Sequence, residues 1–160
     1  MSHMLTHIDT KGKAVMVDVS EKPNTTRTAK ALASVYMKPD TLRLIKENSI
    51  KKGDVLAVAK ISGIMAVKNT SNLIPLCHPL PISSVEIEFK IDDEDSRIDI
   101  ITTVKTSAQT GVEIEAITGC AISAITIYDM CKAVDKDMMI GNVKLLEEHG
   151  GRSGSYIRTP

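Results

Sequence analysis

The segment from Val85 to Val104 limits the fold more than any other. Val85, Ile87, Phe89 and Ile91 alternate with Glu86, Glu88 and Lys90; Asp92-Asp93-Glu94-Asp95-Ser96 turns the chain; Ile98, Ile100, Thr102 and Val104 bring it back. A period of two with one apolar side marks a half-buried strand, and two such runs around a short polar turn make an antiparallel hairpin. One face of that hairpin must be covered, so helices have to come from the flanking chain.

Those helices are legible. From about Ile114 to Val134, Ile114, Ile117, Ala121, Ala124, Tyr128 and Cys131 recur at three-four spacing, which predicts a helix with that stripe inward. Val55 to Asn69 predicts a second helix, capped by Asp54, with Val58, Ile61, Met65 and, at its edge, Ser62 as the inner stripe. Pro39-Asp40 opens a short helix from about Thr41 to Glu47. From Arg27, Ala29, Ala31, Ala33, Val35 and Met37 alternate with Thr28, Lys30, Leu32, Ser34 and Tyr36. The alanines favour helix, but the alternation decides for strand. A last strand, about Met139 to Leu146, ends at Gly150-Gly151. The order β-α-β-β-α-β is the split βαβ, ferredoxin-like arrangement: an α+β fold with an antiparallel sheet and helices packed on one face. Glu86, Glu88, Asp99 and Thr103 on the other face suit water or a partner subunit. The 160 residues are expected to form a single domain, 1–160, with 1–3 reading as a cloning scar before a native Met4.

Composition excludes some tasks. Lys plus Arg and Asp plus Glu both total 20 and aromatics make up 2%, whereas nucleic-acid binding wants a basic surface and stacking rings. The three cysteines fit no disulfide framework, no signal peptide is evident, and no apolar run reads as long enough to span a bilayer. The expectation is a cytoplasmic protein without nucleic-acid or membrane partners.

Residues 73–81 read LIPLCHPLP. Pro75, Pro79 and Pro81 forbid helix and bias their predecessors to extended backbone, giving a stiff connector. Cys77 and His78 lack the paired ligand spacing of a zinc site, and no metal is expected. Neighbours on an extended segment point to opposite sides, so His78 is poorly placed to activate Cys77. A buried cysteine beside a half-exposed histidine is the plain reading; a stiff wall for a ligand is the functional one. In Tyr128-Asp129-Met130-Cys131-Lys132, Asp129 and Lys132 share a helical face, continued by Lys136. This is either a surface ion pair or an acid–base pair beside apolar neighbours. Glu113 and Glu115 near a helix N-terminus suit the dipole; on extended backbone they would face one way and could accept the N–H groups of a purine or pterin ring. Arg27, Lys52, Lys68, Lys132 and Arg152 are scattered cations. Lys68 falls on the stripe of Ile61 and Met65, where it would snorkel or face a polar cavity. Gly150-Gly151-Arg152-Ser153-Gly154 could cradle a phosphate, without P-loop spacing.

Four stretches together resemble one family: Lys52-Gly53-Asp54-Val55, Leu73 through Pro79, Thr110 through Ala116, and Ile125-Thr126-Ile127-Tyr128-Asp129-Met130-Cys131-Lys132-Ala133. Met16 through Ser20 and Gly150 through Gly154 also fit. The chain is similar to cyclic pyranopterin monophosphate synthases, the second enzymes of molybdenum cofactor biosynthesis, from about Leu5 to Gly154. The resemblance implies a lyase that turns a cyclised GTP derivative into cyclic pyranopterin monophosphate and releases pyrophosphate. It implies no cofactor, and a homohexamer, a trimer of dimers with active sites at subunit interfaces. It implies Asp129 as catalytic residue with Lys52 and Lys132 essential, and Leu76, Cys77, His78, Ile114 and Glu115 lining the substrate site. Glu113, Arg27 and Lys68 are added as expected substrate contacts. The chain departs from the family pattern at Ile114, usually Met, and at Gln109, Asn72 and Arg152, often Lys, Asp and Lys.

Two other readings compete. An RNA-binding module shares this element order but needs exposed aromatics on the central strands. A non-catalytic nucleotide-binding oligomer shares the fold, which by itself does not decide function.

Overall fold

The computed structural model describes residues 11–151 and 154–159. The tag-like start, His7, Arg152 and Ser153 lie outside them. In chain order the elements are β1 (Thr25–Tyr36), α1 (Pro39–Lys46), α2 (Val55–Lys68), α3 (Thr70–Leu73), β2 (Ile82–Asp92), β3 (Arg97–Ala108), α4 (Glu113–Cys131), β4 (Met139–His149) and β5 (Ser155–Ile157). The sheet order is β2-β3-β1-β4-β5, all antiparallel. The expected α+β, ferredoxin-like fold is present; α3 and β5 are additions the sequence did not suggest. α4 crosses β1, β3 and β4, and α2 lies beside it over β2.

The alanines of β1 have a packing reason. Ala29, Ala31, Ala33 and Val35 are fully buried beneath α4, and short side chains let helix and strand approach closely. Ile87, Ile98, Ile100 and Val104 complete the sheet's contribution to the core. Asp54 caps α2 as expected, accepting from the Ala57 N–H at 2.9 Å; such a cap contributes about 1 kcal/mol.

The helix faces differ from expectation. Val58, Ile61 and Met65 are exposed on α2, at 41%, 64% and 51%, while Val55, Ala59, Gly63, Ala66 and Val67 are buried. The reason is close packing against α4: a Cβ on Gly63 would stand 2.2 Å from Ser123 Oγ and 3.0 Å from the Gly119 carbonyl oxygen. The small residues therefore face inward and the large ones outward. On α4 the buried stripe is likewise turned, to Glu115, Ala116, Gly119, Cys120, Ser123, Ala124, Ile127, Met130 and Cys131. Ile114, Ile117, Ala121 and Tyr128 sit at its half-buried margin.

α4 is 19 residues long with a mean hydropathy of 1.3. By length and composition it could cross a membrane, contrary to the sequence expectation; here it is the helix that covers the sheet. On the open face, Tyr36 is the aromatic of the central strands, half-buried and accepting from Asn142 Nδ2 at 2.6 Å. Phe89 packs against the core. Neither offers the exposed platform that RNA stacking needs.

Candidate active site

The chemistry-bearing residues separate to the two ends of α4. At its C-terminal end, Asp129 accepts from Lys132 Nζ at 2.7 Å and Lys52 Nζ at 3.0 Å. Lys52 also donates to the Asp129 carbonyl at 2.8 Å, one of the last-turn acceptors that no helical N–H satisfies. The turn that delivers Lys52 passes through Gly53 at φ 103°, a conformation that suits glycine. Two cations at a helix C-terminus also complement its dipole. The two lysines hold the Asp129 carboxyl down at about 2, hydrogen bonding first and charge second, and Asp129 in turn raises Lys132. At neutral pH the trio is a carboxylate between two ammonium groups, each about half exposed.

At the N-terminal end lies a cleft of about 320 Å³. The stiff connector supplies Leu76, Cys77 and His78; α4 supplies Glu113, Ile114 and Glu115; Val17, Val19 and Lys22 close it from before β1. Cys77 and His78 are both half-buried and line the same cleft, rather than dividing between core and solvent. The segment turns at residues 74–76, with Cys77 N–H donating to the Ile74 carbonyl, so strict strand alternation does not apply. Burial, then Glu115 and Glu113, push the Cys77 thiol up, which makes it a poor nucleophile at neutral pH. Glu113 and Glu115 are helical, not extended. Glu115 is 4% exposed, and burial lifts its carboxyl to about 7 against an opposing backbone hydrogen bond, with Glu113 adding to the rise.

A second cleft of about 490 Å³ adjoins the first, sharing Lys22, Thr110, Gly111 and Glu113. Arg27 lines it, its Nε donating to the Ala108 carbonyl and its Nη2 to that of Gln109, both at 3.1 Å. Gly151 packs against this guanidinium: a Cβ there would stand 2.3 Å from Nη1. Lys68 is exposed and lines neither cleft.

The sequence reading missed Glu148, Lys22 and Thr110. Glu148 had a signal that misled. Counting by twos from Leu145, which pairs with inward Ala31, puts Glu147 inward and Glu148 outward. A register shift between Lys30 and Ala31 reverses this: Glu148 pairs with inward Ala29, and Glu147 pairs with Lys30 on the open face. Such bulges re-aim side chains.

The described residues form a ferredoxin-like α+β domain with an ion-paired lysine–aspartate–lysine cluster at one end of its long helix and a polar cleft at the other. The chain belongs to the MoaC family, whose pattern it matches over residues 16–151. It is 58% identical to the cyclic pyranopterin monophosphate synthase of Thermoanaerobacter pseudethanolicus, covering 96% of this chain and 98% of that protein. Proteins of the same name from Clostridium perfringens and Heliobacterium modesticaldum are 55% and 53% identical, over 98% and 96% of this chain and 99% and 97% of theirs.

Proposed function

We propose that this chain converts the cyclised GTP derivative to cyclic pyranopterin monophosphate with release of pyrophosphate, as a lyase of molybdenum cofactor biosynthesis. The observation that carries this reading is near-full-length similarity, at 58% identity, to a protein of that name. The non-catalytic alternative is not favoured: it gives the Lys52–Asp129–Lys132 arrangement no task.

Ring opening and cyclic phosphate formation need proton transfers, and pyrophosphate departure needs positive charge in place beforehand. In this reading Lys132 is the proton donor and Asp129 the acceptor. A carboxylate held at about 2 is a weak base. When phosphate oxygens engage the lysines, the hydrogen bonds that hold Asp129 down are diverted and its proton affinity climbs. Lys52 has two of its three N–H groups on Asp129 and clamps the developing pyrophosphate charge. Leu76, Cys77, His78, Glu113, Ile114 and Glu115 hold the ring system, with Glu115 accepting its N–H groups, and Arg27 lies on the path of the anionic end.

One protomer does not bring these groups together. α4 is 19 residues long, about 28 Å at 1.5 Å per residue, and the two sets sit at its opposite ends. In this reading a second copy supplies one set, at subunit interfaces of the expected homohexamer, a trimer of dimers. Exposed Val58, Ile61, Met65 and Ile125 supply apolar surface for such contacts; Ile125 is one turn from Asp129. Three unpaired cysteines suit the expected cytoplasmic setting. Incubation with the cyclised GTP derivative, following pterin and pyrophosphate together, tests the function. Stoichiometric appearance of both is expected; binding without turnover would return the non-catalytic reading.

A further inference from the structure

Glu148 is a carboxylate that neither the fold nor the proposed chemistry uses. It reaches over Gly111 toward Glu113: a Cβ on Gly111 would stand 2.2 Å from Glu113 Oε2 and 2.7 Å from Glu148 Oε1. Oε2 of Glu113 is buried without a hydrogen-bond partner. Among the described residues, no hydrogen bond or ion pair reaches the Glu148 carboxylate. Among the described residues, the groups around it are Glu113 from α4, Arg27 from β1, Lys22 from the segment before β1, and Tyr156, its partner in register, from β5.

Among the described residues, Lys22 and Arg27 balance Glu113 and Glu148 in the lining of this cleft. An anion entering it meets repulsion from two carboxylates as well as attraction from two cations. Facing carboxylates repel each other and an arriving anion adds to that repulsion, so uptake of one proton by the pair relieves both. We propose that Glu148 sets the cleft's affinity for anions, the Glu113–Glu148 pair taking up one proton from solvent as a phosphorylated ligand binds. The inference rests on the reading above that Arg27, which lines this cleft, lies on the path of the substrate's anionic end. Burial and Glu113 push the Glu148 carboxyl up while Arg27 pulls it down.

Pyrophosphate is the probe. Its binding to the wild-type protein and to Glu148→Gln is measured by calorimetry across neutral pH, in buffers of different ionisation enthalpy. The variant is expected to bind several-fold tighter above neutrality, with the gap closing toward acid, and to lose the proton uptake of the wild type. Ionisation of the probe is common to both proteins and cancels in their ratio. A ratio that does not change with pH, weaker binding by the variant, or no pyrophosphate binding by the wild type overturns the inference. Turnover of the cyclised GTP derivative by the wild type reports on the function separately.

Discussion

The Nζ of Lys52 lies 3.0 Å from Oδ2 of Asp129 and 2.8 Å from the carbonyl oxygen of the same residue. One lysine from the turn before α2 thus ties together the charge and the free backbone end of α4. Lys132 takes the other carboxylate oxygen at 2.7 Å. This exceeds the isolated surface ion pair that the Asp129–Lys132 spacing by itself suggests.

Asp129→Asn, Lys132→Ala and Lys52→Ala should stay folded, because all three side chains are about half exposed. Each should lose pyrophosphate release by about 100-fold or more, the scale of a general acid–base contribution. Circular dichroism and a coupled pyrophosphate assay check both halves. Near-wild-type turnover in any one removes that residue from the scheme. Because Asp129 in the free protein titrates at about 2, any acid limb of kcat/KM near neutrality should survive Lys52→Arg, which keeps the charge.

Glu115 makes stability depend on pH. Its folded carboxyl is raised from 4.5 to about 7, so between those values the folded protein keeps a proton the unfolded chain has released. Its contribution is therefore fully present below about pH 4.5 and is lost as pH rises through 7. The expected loss from this group is about 3 kcal/mol. Glu115→Gln should flatten that slope in urea unfolding compared on the two sides of the window. Parallel slopes for variant and wild type would refute the assignment.

Gly119→Ala should destabilise by roughly 1–3 kcal/mol, the range for overpacking a filled core. Its Cβ would stand 2.7 Å from Val67 Cγ2 and 2.9 Å from Thr102 Cγ2. Gly63→Ala meets Ser123 Oγ and Ile87 Cδ1 at 2.2 and 2.5 Å and should cost a similar amount. Thermal unfolding checks both; an unchanged midpoint would mean that α2 and α4 do not pack as closely as described.

The order of elements and the hairpin were legible because period-two alternation runs unbroken from Val85 to Ile91 and from Ile98 to Val104, clear of the register shift between Ile82 and Ser84. Helix positions were legible too, from caps and prolines, but their inward faces were not. Hydrophobicity ranks Ile61 above Gly63, and only the close approach of α2 to α4 reverses that order. Of the candidate site, the motifs located Asp129, Lys132, Lys52 and the connector, because unusual residues cluster there in sequence. Glu148 lay beyond the expected end of the last strand at Leu146 and behind a register shift, and Lys68 was placed on a stripe that the structure turns outward, away from both clefts. The distance between the two residue sets follows from α4's length, which the sequence contained; that it separates chemistry from cleft emerges only once both are placed on the helix.

The account stands or falls on the site being assembled from two subunits. Asp129→Asn disables one set of groups, and the double substitution His78→Ala with Glu115→Ala disables the other. Each protein alone should be inactive with the cyclised GTP derivative. Co-expressed, with mixed assemblies verified by native mass spectrometry, they should recover turnover approaching roughly a quarter of wild type, the share of intact sites in randomly paired two-fold dimers. Mixed assemblies as inactive as their parents would contradict a shared site.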